Sequence, residues 1–137
     1  MQLSKSSQYA IRILSYMANH KDSKVMTATE LSEKLDIPYK FLTKIMTDIV
    51  KAQLVISIRG RDGGYAFARE PSEILINDIL EIFHDAIEDE QCVLGIGFCN
   101  GITKCALHDQ WMEPKMLMQK MFRESTLEKI AGQGCKI

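Results

Sequence analysis

From Ser4 to His20 the apolar positions recur at helical spacing. Tyr9, Ile13, Tyr16 and Met17, with Ala10 and Leu14 beside them, make a stripe wide enough to be buried. The serines ahead of the stripe can cap the helix, and the polar run 21–24 reads as a loop. Thr27 to Glu30 then forms a capping box, with a threonine hydroxyl for one orphan amide and a glutamate three residues on. The short helix that follows, about 28–35, buries Ala28, Leu31 and Leu35. Asp36-Ile37-Pro38 ends it, because proline drives the residue before it out of helical geometry. Pro38 suits the first turn of the next helix, about 38–52. There Leu42, Ile45, Met46 and Ile49 form the inner stripe, and Tyr39, Lys40, Thr43, Lys44 and Thr47 lie on the outer face. Two helices joined by a tight turn, the second basic and hydroxylated outside, make a helix-turn-helix pattern.

The period then shortens. Leu54 to Ile58 is β-branched and reads as a strand, Arg59 to Gly64 as a turn, and Tyr65 to Ala68 as the returning strand, stopped by Arg69-Glu70-Pro71. The hairpin tip carries three glycines and two arginines. Backbone can approach a polyanion closely there, while Arg59 and Arg61 pair with phosphate or enter a narrow minor groove. The glycine run is no nucleotide loop, since no helix begins directly after it and no Gly-Lys-Ser/Thr follows. The expected fold is mostly α with a small β-hairpin wing, a winged helix-turn-helix. Farther on, Ile74 to Phe83 looks helical, Glu88 to Glu90 reads as a solvated acidic boundary, Glu113 to Arg123 is helical again, and Thr126 to Ala131 makes a last short turn.

Charge sharpens this picture. The net charge of −1 conceals a division: residues 1–69 hold 11 Lys/Arg against 6 Asp/Glu (+5), and residues 70–137 hold 6 against 12 (−6). A basic half joined to an acidic one suits a polyanion-binding face attached to a different module. With 137 residues, 46% hydrophobic and 26% charged, the chain is long and apolar enough for a core. It has no cleavable apolar leader, no spanning segment and too few cysteines for a disulfide framework, so a cytoplasmic protein with reduced thiols is expected.

Candidate chemistry gathers in one loop. Cys92, Cys99 and Cys105 fall within 14 residues, interleaved with Gly95, Gly97 and Gly101, and His108 follows. Only Lys104 is charged between the first and third thiols, which suits a partly dry pocket for a soft metal or an iron–sulfur centre. Buried unliganded thiols, a Cys₃His zinc site lacking the usual Cys-x₂-Cys knuckle, a disulfide, or a Cys–His nucleophile are the competing readings of the same residues. Cys135, near the C-terminus, reads as a loose thiol and not a ligand.

These stretches resemble one family over nearly the whole chain: the bacterial winged-helix transcription regulators of the IscR/NsrR (Rrf) type. The resemblance rests on Gln8-Tyr9-Ala10-Ile11-Arg12, Glu30-Leu31, Ile37-Pro38, the wing Arg59 to Tyr65, Ile76-Asn77-Asp78-Ile79 and the three spaced cysteines. It implies a homodimer joined through long C-terminal helices. It also implies a [2Fe–2S] or [4Fe–4S] cluster on Cys92, Cys99 and Cys105, with His108 as the fourth ligand; Gln8 stands where some members place an aspartate ligand.

The sequence thus reads as a winged helix-turn-helix DNA-binding domain over 1–84, and a cluster-binding loop with a dimerisation helix over 85–137. Tyr39, Lys40, Thr43, Lys44, Thr47, Arg59 and Arg61 would meet a DNA operator, and Trp111, Met112, Met116 and Leu117 would lie in the dimer interface. The function expected is transcription regulation, most often repression, by sensing redox state, nitric oxide or iron–sulfur supply, and not catalysis. The alternatives are a cluster-free thiol switch, with Cys99 and Cys105 oxidising, and a winged-helix protein–protein adaptor. Pro114 leaves two possible starts for the long helix: near Glu113, with proline in the first turn, or earlier, with a kink.

Overall fold

The computed structural model describes residues 2–20, 22–99 and 101–132. In chain order it forms α1 (Lys5–Asn19), α2 (Ala28–Leu35), α3 (Tyr39–Lys51), the strands β1 (Val55–Ile58) and β2 (Gly64–Phe67), a 3₁₀ turn at Pro71–Glu73, α4 (Ile76–Ile82), α5 (His108–Glu124) and α6 (Leu127–Ala131). The expected fold class is the one observed: helices with a two-stranded antiparallel wing.

Capping starts three of the helices. The hydroxyls of Ser4, Thr27 and Thr126 accept from the amides of Ser7, Glu30 and Lys129 at 3.1–3.3 Å. Asp36 ends α2 in the left-handed region (φ 51°), and the Ser32 hydroxyl donates to the Ile37 carbonyl at 2.6 Å, so the turn into α3 is tied from both sides. Most of the expected inner stripes are buried, with Ala10, Ile13, Leu14 and Met17 of α1, Leu31 and Leu35 of α2, and Leu42, Ile45, Met46 and Ile49 of α3, while Tyr9, Tyr16 and Ala28 are half-buried against them. Ile76, Ile79 and Leu80 of α4 complete one core with them.

The wing pairs Val55 with Phe67 and Ile58 with Gly64. Met26 adds a bridge on the other side of β2, donating to the Tyr65 carbonyl at 3.0 Å and accepting from its amide at 2.7 Å. This pairing explains Gly64. A Cβ there would stand 2.5 Å from the Met26 carbonyl oxygen, at a φ of 149° that side chains rarely adopt.

Of the two starts that Pro114 leaves open, the earlier is observed: α5 begins at His108 and runs through Pro114. Pro114 is exposed, so the carbonyl its missing N–H leaves unpaired can turn to water. The start was hidden because the buried residues of α5 are His108, Lys115 and Gln119, all polar, so no apolar stripe marks the inner face. The core also draws on residues beyond 84. Leu127 and Ala131 of α6 are buried with α1, Leu127 donates to the Ile74 carbonyl at 2.8 Å, and Ile76 donates to Ser125 at 2.9 Å. Residues 125–131 therefore close the core of the first unit. Among the described residues, no helix is long and apolar enough to cross a membrane.

Candidate DNA interface and thiol site

The first turn of α3 stands free of the core. Tyr39, Lys40, Lys44 and Thr47 are exposed and Thr43 is half-buried, all on the face opposite Leu42, Ile45, Met46 and Ile49. Thr43 donates back to the Lys40 carbonyl at 3.1 Å and Thr47 to Thr43 at 2.8 Å, which leaves their oxygens outward as acceptors. Phe41, which the sequence reading passed over, is also partly exposed and packs edge-on against Tyr9, with the ring centroids 5.5 Å apart. Arg12 lies over the Tyr9 ring and donates to the Leu35 carbonyl at 2.9 Å, bracing α1 against the end of α2. At the wing, Arg59 and Arg61 are both exposed. Burial pushes the Tyr65 phenol up, and Tyr39 adds a smaller electrostatic contribution.

The second cluster lies where the cysteine loop meets α5. Gln91 and Phe98 pair across a small antiparallel bridge, and the Cys99 amide donates to the Glu90 carbonyl at 2.8 Å. The turn between them needs Gly95 and Gly97, both with φ above 60°. This fold-back sets the donors in two pairs. The Cys99 sulfur lies 3.2 Å from Nδ1 of His108, which is buried at the first position of α5. The Cys105 thiol donates to the Cys92 sulfur. Among the described residues, no three of His, Cys, Asp and Glu converge closely enough to hold one metal ion. Cys135 lies outside the described residues.

The loop backbone acts on the Cys92 thiol. The amides of Ile96 and Leu94 point at its sulfur and, with Cys105 and Gly95, hold its pKa below the ordinary thiol value in spite of its burial. Its folded pKa is depressed, so the thiolate contributes stability above the unfolded value of about 8.5, and that contribution is lost as pH falls through the folded pKa. Cys92 is therefore expected to react with iodoacetamide with a pH midpoint below about 8.5. Mass-spectrometric rates from pH 6 to 10 check this, and a midpoint at or above that of a Cys92 peptide would refute it.

Two features depart from expectation. The loop is not dry: Ile96 is 67%, Phe98 70% and Ile102 90% exposed. The acidic run 88–90 is more than a solvated boundary, because α5 holds it. Lys115, 1% exposed, donates through Nζ to the carbonyls of Asp89 and Gln91, the latter at 3.3 Å. Gln119 donates to the Ile87 carbonyl and to Asp89 Oδ1, each at 2.9 Å, and Arg123 reaches the same oxygen at 3.4 Å. The four residues expected at a dimer interface are spread around the helix. Met112 turns toward Cys99, with its sulfur 4.0 Å away, Trp111 is half-buried, and Met116 and Leu117 are both 61% exposed.

The family model Rrf2, described as an iron-dependent transcriptional regulator, matches residues 3–133. An HTH-type transcriptional regulator of Aquifex aeolicus is 34% identical over 130 residues, covering 93% of this chain and 90% of that protein. The transcriptional regulator IscR of Vibrio atlanticus is 26% identical over 93% of this chain and 73% of its own. Among solved structures, that of CymR, the global cysteine regulator of B. subtilis, superposes with a TM-score of 0.83 over 98% of this chain and 99% of that one, at 20% identity.

Proposed function

Since the chain belongs to the Rrf2 family of transcriptional regulators, we propose that it couples DNA binding to the state of an iron–sulfur cluster held by Cys92, Cys99, Cys105 and His108. The chain is a DNA-binding transcriptional regulator and not an enzyme. The observation that carries the sensing proposal is the pairing of four soft donors, Cys92 with Cys105 and Cys99 with His108, around the start of α5. The donor chemistry fits the group: thiolates bind iron–sulfur clusters, and imidazole replaces thiolate in some two-iron centres. Two pairs of donors also suit a two-iron cluster, which takes two protein ligands on each iron. Bound there, the cluster would supply an iron centre whose redox state or loss the loop can register.

This chain's own residues do the rest. Gly95 and Gly97 let the loop fold back on itself, and the amides at Ile96 and Leu94 favour the ionised Cys92. Lys115 and Gln119 fasten the segment before Cys92 to α5, which packs on α4 and through it on the core beneath α3. A change in the loop thus reaches the reading face through contiguous packing. By linkage, operator DNA favours one state of the loop to the same extent. Tyr39, Lys40, Thr43, Lys44 and Thr47 read the major groove, and Arg59 and Arg61 anchor the wing.

We assign the reading unit to 1–84 and the sensing and pairing unit to 85–137, with α6 returning to the first. The protein acts as a cytoplasmic homodimer, usually a repressor. Support for pairing comes from α5 and its cap residue Leu107, which with Trp111, Pro114, Met118 and Met121 follows the spacing of a coiled-coil seam. Leu107 and Met121 of that seam are exposed, and the Trp111 indole N–H is buried without an acceptor.

The deciding experiment is anaerobic purification followed by absorption spectroscopy with iron and sulfide analysis. A coloured protein carrying both elements is expected, with Cys92→Ser, Cys99→Ser and Cys105→Ser each colourless and Cys135→Ser unchanged. A colourless wild type that binds operator equally well would overturn the cluster reading. One observation favours a second reading: Cys105 hydrogen-bonds to Cys92, whose pKa is lowered. Oxidation by hydrogen peroxide would join these two, and not Cys99 with Cys105, releasing two water molecules as both thiols lose their hydrogens.

A further inference from the structure

We propose that Cys99, His108 and Met112 form a site for a soft monovalent cation, Cu(I), held by thiolate, imidazole and thioether. Around the Cys99 sulfur stand His108 Nδ1 at 3.2 Å and the Met112 sulfur at 4.0 Å. His108 and Met112 are four residues apart on α5, so both side chains lie on one face of the helix. A three-coordinate d¹⁰ ion with bonds of about 2.3 Å to sulfur and about 2.0 Å to nitrogen separates its two sulfurs by about 4.0 Å and sulfur from nitrogen by about 3.7 Å. The sulfur pair already has that separation, and the imidazole needs to move back by only about 0.5 Å.

The third donor selects the metal. Among the described residues, no further His, Cys, Asp or Glu completes a ligand set here, so the group at hand is a thioether. Thioether sulfur favours Cu(I) over the harder divalent ions, which prefer carboxylate, water or additional imidazole. The nearest carboxylate on this turn, Asp109, is engaged by Lys104 at 2.8 Å. His108 is buried while Cys99 and Met112 are half-exposed, which leaves a route for delivery. Binding releases the Cys99 thiol proton to solvent and transfers no electron; copper stays monovalent throughout. The site shares two donors with the proposed cluster, making Cu(I) a competitor for it. It requires Met112, which the cluster does not, and it stands whether or not the cluster reading does.

The test uses the full chain with Cys92, Cys105 and Cys135 replaced by serine, reduced, anaerobic and titrated with Cu(I) against a chromophoric Cu(I) chelator. One ion should bind, quenching the fluorescence of Trp111, the chain's sole tryptophan. Met112→Leu should weaken binding at least about tenfold, the loss that even an outer partner of a metal ligand brings, while Met116→Leu leaves it unchanged. Circular dichroism verifies the fold of each variant, and copper-edge X-ray absorption on the parent should show two sulfurs and one nitrogen. Unchanged affinity in Met112→Leu, or a copper shell lacking either the second sulfur or the nitrogen, overturns the proposal. In the otherwise unsubstituted chain, Met112→Leu should keep its iron and sulfide, so failure of the copper site and failure of the cluster are read separately.

Discussion

Lys115→Ala is expected to destabilise the protein by roughly 2–4 kcal/mol, the sum of a cavity left by a long buried side chain and carbonyls left without donors. Lys115 is the largest of the fully buried side chains, and its Nζ is shared between the carbonyls of Asp89 and Gln91. Removing it also frees the segment that enters the cysteine loop. Urea denaturation measures the loss. Lys115→Met, which keeps the volume and removes only the donor, should recover part of it and no more. If Lys115→Ala matches the wild type in midpoint and slope, α5 does not hold the loop in this way. The same variant should increase backbone hydrogen exchange between residues 87 and 99, where the fastening is lost.

The second large effect concerns DNA. The double variant Arg59→Ala, Arg61→Ala should lower operator affinity about 10- to 100-fold near 0.15 M salt and reduce the salt slope by about two units, if each guanidinium neutralises one phosphate. Both side chains are exposed at the wing tip, far from the buried face of the hairpin, so the fold should be unaffected. Fluorescence anisotropy at several salt concentrations, on operator and on an unrelated duplex, separates the possibilities. Equal losses on both duplexes mark phosphate contacts, and a loss confined to the operator marks a groove contact. An unchanged affinity and slope remove the wing from the interface.

The reading unit was legible because its physics is local. Thr27, Pro38 and the Gly-rich wing each act on their own backbone, and the buried stripes of α1 and α3 repeat at helical period against one core. The second half obeys different rules. In α5 the buried side chains are polar and several of the exposed ones apolar, so periodicity alone fixes neither its inner face nor its start. Lys115 and Gln119 make sense only once the 87–91 segment lies beside them, a contact between residues 24–32 positions apart. The cysteines and His108 could be singled out by type, but their division into two pairs, and the arrival of Met112 beside Cys99, depend on a fold-back that glycines permit without specifying.

The bridge between Leu75 and Thr126 has a consequence for how such a protein can change. The chain leaves α4 at Phe83, after its seven residues, and returns at Ser125 beside the first residue of that same helix. Exit and return are thus about 10 Å apart, the length of those seven residues at about 1.5 Å each. Apart from Ala86 and Phe122, which pack on the core, and the side of α5 against α4, what lies between them is an insertion hung on a closed frame, as a loop is hung on a hairpin. Its length, thiols and apolar surface can be exchanged while the two anchoring strands of backbone keep their hydrogen bonds. A reading head built this way can be fitted with detectors of different chemistry without being redesigned, and a detector can decay to a plain linker while the head still folds.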